Sequence, residues 1–307
     1  MMRSSQSRVA RALRVFAFVV VLVGAASHAW AQPRRPVPAA VPAAVQMPRP
    51  TEQEVETARR SLAEFLRTTD RATQEIVNRY QGLLEVRTPP ANTAIVPSLA
   101  AGFRAKHDQN LEVARRGDIE LLLMGDSITD FWRNTTGNFA GKGVLDEFFG
   151  QWTIANFGIA GDTTQGVLYR LQNGEGEGFS PRAVMLMIGT NNTGRNNSGE
   201  VAEGIGAVVL ELQTRFPKAK ILLLGIFPRG AAATSPVRAT IADINTKIAA
   251  LHDGTSVHYL DIGHVFLDAN GNIPADVMSD ALHPATKGYR LWAEAVQEPL
   301  TRLMRAE

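Results

Sequence analysis

The chain has 307 residues, a formal net charge of +2, a hydrophobic content of 45% and a charged content of 20%. Such values are typical of a globular protein that is long enough to bury a sizeable core. They give no basic excess that would indicate a nucleic-acid partner. The sequence contains no cysteine, which excludes disulfides, thiolate metal sites and a cysteine nucleophile.

The first 31 residues have the pattern of a signal peptide. Arginines at positions 3, 8, 11 and 14 precede an apolar run at residues 15–26, and Ala29-Trp30-Ala31 provides a small-x-small cleavage site. This apolar run is too short to cross a bilayer, so we expect export, to the periplasm or by secretion, without stable membrane insertion after cleavage. Cleavage would leave 28 basic against 30 acidic residues, a net charge of −2.

Two segments precede the main domain. Residues 32–50 are rich in proline and alanine, which predicts a semi-rigid or disordered linker that builds no core. Residues 51–97 are predicted to be a helical extension, because Thr51 and Glu54 match a capping box and amphipathic spacing follows, with a break near residues 68–70. The extension either packs on its own domain or serves as an arm for a partner, for example in a homodimer.

Apolar runs alternate with helical patterns through residues 98–307. This alternation predicts an α/β domain with a five-stranded parallel sheet and helices on both faces. The glycine-rich residues 174–178 are interpreted as a flexible surface loop, and residues 268–272 as a tight turn. The predicted strands are residues 121–124, 152–157, 183–188, 221–226 and 257–262, and the predicted helices are residues 97–117, 164–171, 198–216, 237–252 and 286–304.

Polar residues follow three of the predicted strands. Ser127 comes directly after the first strand, Gly161 lies in the loop after the second, and Asn191 follows the third. The carboxyl edge of an open α/β sheet is where ligands bind, so these residues are candidates for one site. Each also has a structural alternative, because Ser127 and Asn191 could cap helices and Gly161 could belong to a plain turn.

Asp280 and His283 lie three residues apart before the last helix, a spacing that allows the carboxylate to face the imidazole. The alternative is a capped helix start, since Pro284 suits a first helical position. Taken together with the strand-end residues, the pair completes a constellation for acyl transfer. In it Ser127 is the nucleophile, His283 the general base and Asp280 the orienting acid.

Three donors are candidates for the oxyanion hole. They are the backbone N–H groups of Ser127 and Gly161 and the side-chain amide of Asn191. The remaining histidines show no spacing typical of a zinc site, and no metal or other cofactor is expected.

These residues resemble the four sequence blocks of the GDSL, or SGNH, hydrolase superfamily. The blocks correspond here to residues 125–127, to Gly161, to Asn191, and to Asp280 with His283. Residues 156–164, 167–175, 189–192 and 224–230 are most similar to esterases of the platelet-activating-factor acetylhydrolase type. The resemblance covers about residues 100–304 and implies a flavodoxin-like three-layer α/β/α sandwich. It also implies a serine esterase without a cofactor, in which the residues named above hold the roles given there.

We therefore expect an exported serine esterase that removes short acyl groups, with acetyl groups on small molecules or carbohydrates as the leading substrates. A lipase or phospholipase-like acyl hydrolase is the second hypothesis, although no long apolar insertion separates the blocks. A binding or assembly protein on the same fold is the third, because the amphipathic extension at residues 51–97 could mediate association.

Overall fold

The computed structural model describes residues 37–80, 86 and 88–305. The predicted signal peptide therefore lies outside the described residues. The five strands are β1 (Leu121–Gly125), β2 (Ile154–Asn156), β3 (Ala183–Met187), β4 (Lys220–Leu224) and β5 (Val257–Leu260). The α-helices in the described part of the chain are α1 (Glu52–Thr68), α2 (Arg71–Arg79), α3 (Arg104–Arg116), α4 (Ser127–Asp130), α5 (Lys142–Phe149), α6 (Thr164–Arg170), α7 (Ser198–Arg215), α8 (Val237–Ile248) and α9 (Thr286–Arg305).

All five strands form one parallel sheet in the order β2-β1-β3-β4-β5. This is the flavodoxin-like order of a doubly wound fold, which confirms the predicted fold class. β1 lies between β2 and β3, so the loops that follow these three strands emerge side by side at one edge. The topology thus gathers residues that are far apart in the chain.

The sheet separates two hydrophobic cores. Leu122 and Met124 of β1 point into the core beneath α6, α7 and α8, whereas Leu121 and Leu123 point into the core beneath α5 and α9. All four side chains are fully buried. Because helices cover both faces of the sheet, the sequence of β1 is a continuous apolar run rather than an alternation of apolar and polar residues.

The helical extension begins and breaks where its sequence predicts. The Thr51 side chain accepts a hydrogen bond from the Glu54 backbone, and the Glu54 carboxylate accepts one from the Thr51 backbone, which confirms the capping box. α1 ends at Thr68, and Asp70 caps α2 by accepting from the Thr73 N–H at 3.0 Å. Residues 81–85, which the amphipathic pattern also included, lie outside the described residues.

Residues 39–49 are not a free linker, and the prediction that they take no part in the core is wrong. The Ala39 N–H donates to the Ile95 carbonyl at 2.7 Å, and Val45 is buried in the core that covers α7. The buried Glu203 carboxylate on α7 accepts from the Met47 N–H at 2.9 Å and also binds the Arg49 guanidinium. The apolar contact of Val45 and the ion pair between Arg49 and Glu203 therefore attach this proline-rich segment to the domain.

The predicted helices do not include α5, and a helix at α4 was considered only in the alternative in which Ser127 caps it. α5 has only eight residues, and it buries Val144, Leu145 and Phe149 in the core beneath α9. Two turns are too short for a periodic pattern to stand out. Within the described ranges, no helix is both long and apolar enough to cross a bilayer.

Candidate active site

Ser127 is the first residue of α4, immediately after β1. The cap of α4 is Asp126, whose Oδ1 accepts from the Ile128 N–H at 3.0 Å, so the alternative interpretation of Ser127 as a helix cap is wrong. Ser127 is only 7% exposed. Because a neighbouring carboxylate satisfies the helix end, the Ser127 hydroxyl is free for another partner.

That partner is His283. Its Nε2 lies 2.9 Å from the Ser127 Oγ, and its Nδ1 lies 2.6 Å from Oδ2 of Asp280. The three residues therefore form a continuous hydrogen-bonded chain, although 156 positions separate Ser127 from His283. A base that contacts the nucleophile and is itself held by a carboxylate has the geometry that nucleophilic catalysis requires.

Asp280 also organises the turn that carries His283. Its Oδ1 accepts from the backbone N–H groups of Leu282 at 3.1 Å and His283 at 2.8 Å. Partial burial alone would raise the pKa of Asp280, but the hydrogen bonds from His283 and Leu282 and the nearby imidazole together lower it. The alternative of a capped helix start is wrong, because α9 begins only at Thr286.

The turn between these two residues contains Ala281 at φ 55°, the only non-glycine residue with positive φ among those described. A left-handed alanine costs roughly 1–2 kcal/mol, so neighbouring contacts must hold it. One such contact is the hydrogen bond from the Gly230 N–H to the Ala281 carbonyl at 2.9 Å. The loop after β4 thereby fixes the position of the imidazole.

Two aromatic rings enclose the imidazole. The ring centroids of Phe131 and Phe139 lie 5.0 and 5.3 Å from that of His283, and the two phenyl rings are stacked 5.8 Å apart. These contacts restrict the ring orientation of His283 and exclude water from one side of it.

Gly161 and Asn191 line one cavity of about 450 Å³ at the carboxyl edge of the sheet. Gly161 has φ +84°, and its N–H has no acceptor in the described part of the protein. The Asn191 Nδ2 donates to the Asp162 carbonyl at 2.8 Å, which leaves its second N–H available. The structure thus brings Gly161 and Asn191 together. It shows Asn191 within a 3₁₀ turn whose cap is Gly189, so Asn191 does not cap a helix.

The loop that carries Gly161 packs closely on the loop that carries Ser127. The Ile159 N–H donates to the Gly125 carbonyl at 3.2 Å, and the Ala160 N–H donates to Oδ2 of Asp130 at 3.0 Å. A Cβ at Gly158 would lie 2.4 Å from the Asp130 nitrogen, so only glycine allows this approach. The predicted nucleophile and a predicted oxyanion donor are therefore held by directly connected backbone segments.

A buried charge network lies behind this loop. Both nitrogens of the Arg170 guanidinium fork are bound, one to Asp162 at 2.8 Å and the other to Glu175. Glu175 in turn contacts His107 Nδ1 at 2.8 Å and accepts from Asn110 at 3.2 Å. Glu175 is completely buried, so the interpretation of residues 174–178 as a flexible surface loop is wrong at its centre. Asp162 belongs to the oxyanion loop, so the network supports the site.

This network was not predicted from the sequence. His107 was expected only as one residue of a helix, and Arg170 and Asp162 had no predicted role. The available signal was an ionisable pair eight residues apart, which no periodic pattern identifies. Only the tertiary fold brings α3 and α6 together around Glu175.

Asp126 is a second buried carboxyl at the site. Its Oδ2 has no hydrogen-bond partner among the described residues. Burial, together with the Asp162 charge, raises its pKa to about 7, while the Ile128 N–H and the Arg229 charge act in the opposite direction. In the described part of the chain, no three histidine, aspartate or glutamate side chains form a group that could hold a metal ion.

A doubly wound sheet with a hydrogen-bonded Ser–His–Asp chain at its carboxyl edge is the architecture of an α/β serine hydrolase. The chain belongs to the GDSL-like lipase/acylhydrolase family, whose model matches residues 123–291. It is accordingly a carboxylic ester hydrolase. The resemblance inferred from the sequence blocks is confirmed.

The curated relatives agree with this family. The chain is 32% identical over 221 residues to platelet-activating factor acetylhydrolase IB subunit alpha2 of Rattus norvegicus and of Homo sapiens, covering 70% of this chain and 93% of the relative in both cases. It is also 34% identical over 186 residues to the human subunit alpha1, covering 60% and 77% of the two chains.

Solved structures show the same fold. A protein of Bacteroides fragilis assigned as an acylhydrolase has 21% identity and a TM-score of 0.54, with 68% of this chain and 100% of that chain covered. A GDSL-like lipase of Bacteroides thetaiotaomicron has 20% identity and a TM-score of 0.50, with coverages of 66% and 98%.

Proposed function

We propose that the protein is an exported serine esterase that hydrolyses short-chain esters, chiefly acetyl esters of small molecules or carbohydrates, through an acyl-enzyme. The observation that carries the mechanism is the hydrogen-bonded chain from Ser127 through His283 to Asp280.

In the first step, His283 Nε2 takes the Ser127 hydroxyl proton while Oγ attacks the ester carbonyl carbon. The carbonyl oxygen becomes an oxyanion, which the N–H groups of Ser127 and Gly161 and the Asn191 amide stabilise. The imidazolium then protonates the departing alcohol, leaving an ester on Ser127. A water molecule, deprotonated by His283, releases the carboxylic acid and restores the serine.

The first test is the hydrolysis of 4-nitrophenyl acetate. We expect Ser127→Ala to lower kcat by about 10⁴-fold or more, since the nucleophile and base act as a unit. Ser198→Ala, on the surface at the start of α7, serves as the matched control and should retain full activity. Equal rates for wild type and Ser127→Ala would overturn the proposal.

Two observations support a preference for acetyl esters. The 32% identical relatives are named acetylhydrolases, and Phe131 and Phe139 narrow the space beside His283. In a series of 4-nitrophenyl esters, kcat/KM should fall beyond about four carbons. A value that rises beyond about eight carbons would instead favour the lipase-like alternative, because each buried methylene contributes about 0.8 kcal/mol.

Export rests on the signal-peptide pattern of residues 1–31. We expect the mature protein to begin near residue 32 and to be found outside the cytoplasm. Cell fractionation with N-terminal sequencing tests this. A cytoplasmic protein that begins at Met1 would contradict it.

We also propose that the helical extension mediates a homodimer. Phe65 and Ile76 are more than half exposed, at 54% and 58%, on α1 and α2. Phe65→Ser with Ile76→Ser should halve the mass measured by light scattering. Arg60→Ser with Arg67→Ser, both exposed on α1, is the control. A mass that none of these changes alters would remove the proposed role.

A further inference from the structure

The cavity beside Gly161 and Asn191 has a wall that lies outside the residues matched by the family model. That wall is the segment at residues 98–103, which precedes α3. The segment is firmly attached, because the Ser98 N–H donates to the Gln165 carbonyl at 3.0 Å and the Thr164 hydroxyl donates to the Ala94 carbonyl at 2.7 Å. One wall of the cavity is therefore formed by a segment that precedes the residues matched by the family model.

An aromatic ring forms one side of the cavity. Phe103 is half-buried, and a Cβ built on Gly161 would lie 3.5 Å from its Cζ. The ring therefore stands directly over the Gly161 turn. A carbon skeleton adjoining a carbonyl oxygen held at Gly161 would therefore lie within reach of Phe103.

The cavity lining carries one exposed charged side chain. Its lining includes two charged residues, Asp162 and Arg195. The Asp162 carboxylate is fully buried and is already bound to Arg170. Arg195 is exposed, and none of the carboxylates that the structure describes lies within ion-pair distance of its guanidinium. The one exposed charge in the lining is thus a cation.

A free guanidinium presents paired donors that match the oxygens of a carboxylate or a phosphate. An acetyl group carries no charge, so a matching anion would have to belong to the alcohol part of the ester. We propose that this cavity is a subsite for a negatively charged group, carboxylate or phosphate, on the alcohol part of the substrate. In this arrangement Arg195 binds the anion and Phe103 contacts the carbon skeleton; the inference rests on the proposed esterase function.

The test compares acetate esters that differ in one charge. The anionic substrates are 4-acetoxybenzoate and 4-acetoxyphenyl phosphate, and the neutral reference is 4-acetoxybenzamide. We expect the wild type to have a higher kcat/KM for an anionic ester than for the amide. Arg195→Gln should lower that ratio about tenfold, the usual effect of one charge-assisted hydrogen bond, whereas Arg195→Lys should retain part of it.

Arg182→Gln is the matched control. It removes the same charge from an exposed arginine next to the amino end of β3, at the opposite edge of the sheet, and should leave the ratio unchanged. Whichever anion loses more in Arg195→Gln identifies the group that the subsite prefers. Both residues are exposed, so thermal unfolding should show that both variants fold.

Two outcomes would overturn the subsite. One is a wild-type ratio at or below one, and the other is an equal fall of the ratio in Arg195→Gln and Arg182→Gln, which would reflect the overall field of the protein. If Ser127→Ala were inactive on all three esters, either result would exclude the anion subsite but would still agree with the proposed esterase mechanism. Activity that survives in Ser127→Ala would instead remove the proposed function itself.

Discussion

The Asp280 carboxylate holds His283 in two ways, through the imidazole Nδ1 at 2.6 Å and through the backbone N–H at 2.8 Å. One side chain thus fixes both the ring and the turn that carries it. Because Nδ1–H donates to the carboxylate, Nε2 is the ring nitrogen that faces the Ser127 hydroxyl as an acceptor.

Asp280→Asn should lower kcat on 4-nitrophenyl acetate by about 10²- to 10⁴-fold, with little change in KM. The amide retains an oxygen for the backbone N–H groups but no longer stabilises the imidazolium. Steady-state kinetics measure the effect. Asp276→Asn, which removes a surface carboxylate paired with Lys287, is the control. A loss below threefold in Asp280→Asn would contradict the assigned role.

Asn191→Ala should lower kcat by about 10²-fold, since removing one oxyanion donor typically costs about 3 kcal/mol. The variant also loses the hydrogen bond to the Asp162 carbonyl, so its folding must be checked by thermal unfolding. Asn270→Ala, in an exposed turn, should behave as the wild type. If Asn191→Ala changed KM but not kcat, the Asn191 amide would contribute to substrate binding rather than to stabilisation of the oxyanion.

The site could be predicted because its residues follow strands in sequence order. Ser127, Gly161 and Asn191 each lie in the segment that follows an apolar run, and the parallel order then places these loops together. The contact between Ser127 and His283 could be predicted only by assuming a tertiary arrangement, because 156 positions separate the two residues. Strand bounds shifted by one or two residues because the ends of the apolar runs lie in loops, as for residues 225 and 226 after β4.

Asp126 predicts a pH dependence of stability. Its pKa is raised from 3.8 to about 7 in the folded state, so the native protein binds the proton more tightly than the unfolded chain. The free energy of unfolding should therefore fall as the pH rises from about 4 to about 7.

Asp126→Asn does not titrate and should lack this fall. Relative to the wild type it should gain up to about 4 kcal/mol between pH 4 and pH 8, from roughly 1.4 kcal/mol per pKa unit. Urea unfolding at several pH values measures the difference, in which the other titrating groups cancel. Parallel stability curves for the two proteins would contradict the raised pKa.

Arg170→Gln should destabilise the fold by about 3–5 kcal/mol, because it leaves Asp162 and Glu175 buried without their cation. Arg302→Gln is the matched control, since Arg302 pairs with Glu298 at the surface and should cost less than about 1 kcal/mol. Urea unfolding measures the free energy of unfolding of both variants. Equal losses of stability would contradict the view that burial determines the cost of removing the cation.

The features that the sequence could not reveal depend on contacts between distant segments. Glu175 lies among glycines that are typical of an exposed loop, yet it is buried because His107 and Arg170 approach it from α3 and α6. Val45 lies in a proline-rich stretch, yet it packs beneath α7. In both cases the local composition predicted an exposed residue, whereas contacts with distant segments bury it.

The most direct test of the central claim is covalent labelling of the nucleophile. A fluorophosphonate ester should add one phosphonyl group per chain, and peptide mass spectrometry should place it on Ser127, while His283→Ala should react at least about 10²-fold more slowly. Labelling of a different residue, or equal labelling rates in the wild type and His283→Ala, would contradict the assignment of Ser127 as a nucleophile activated by His283.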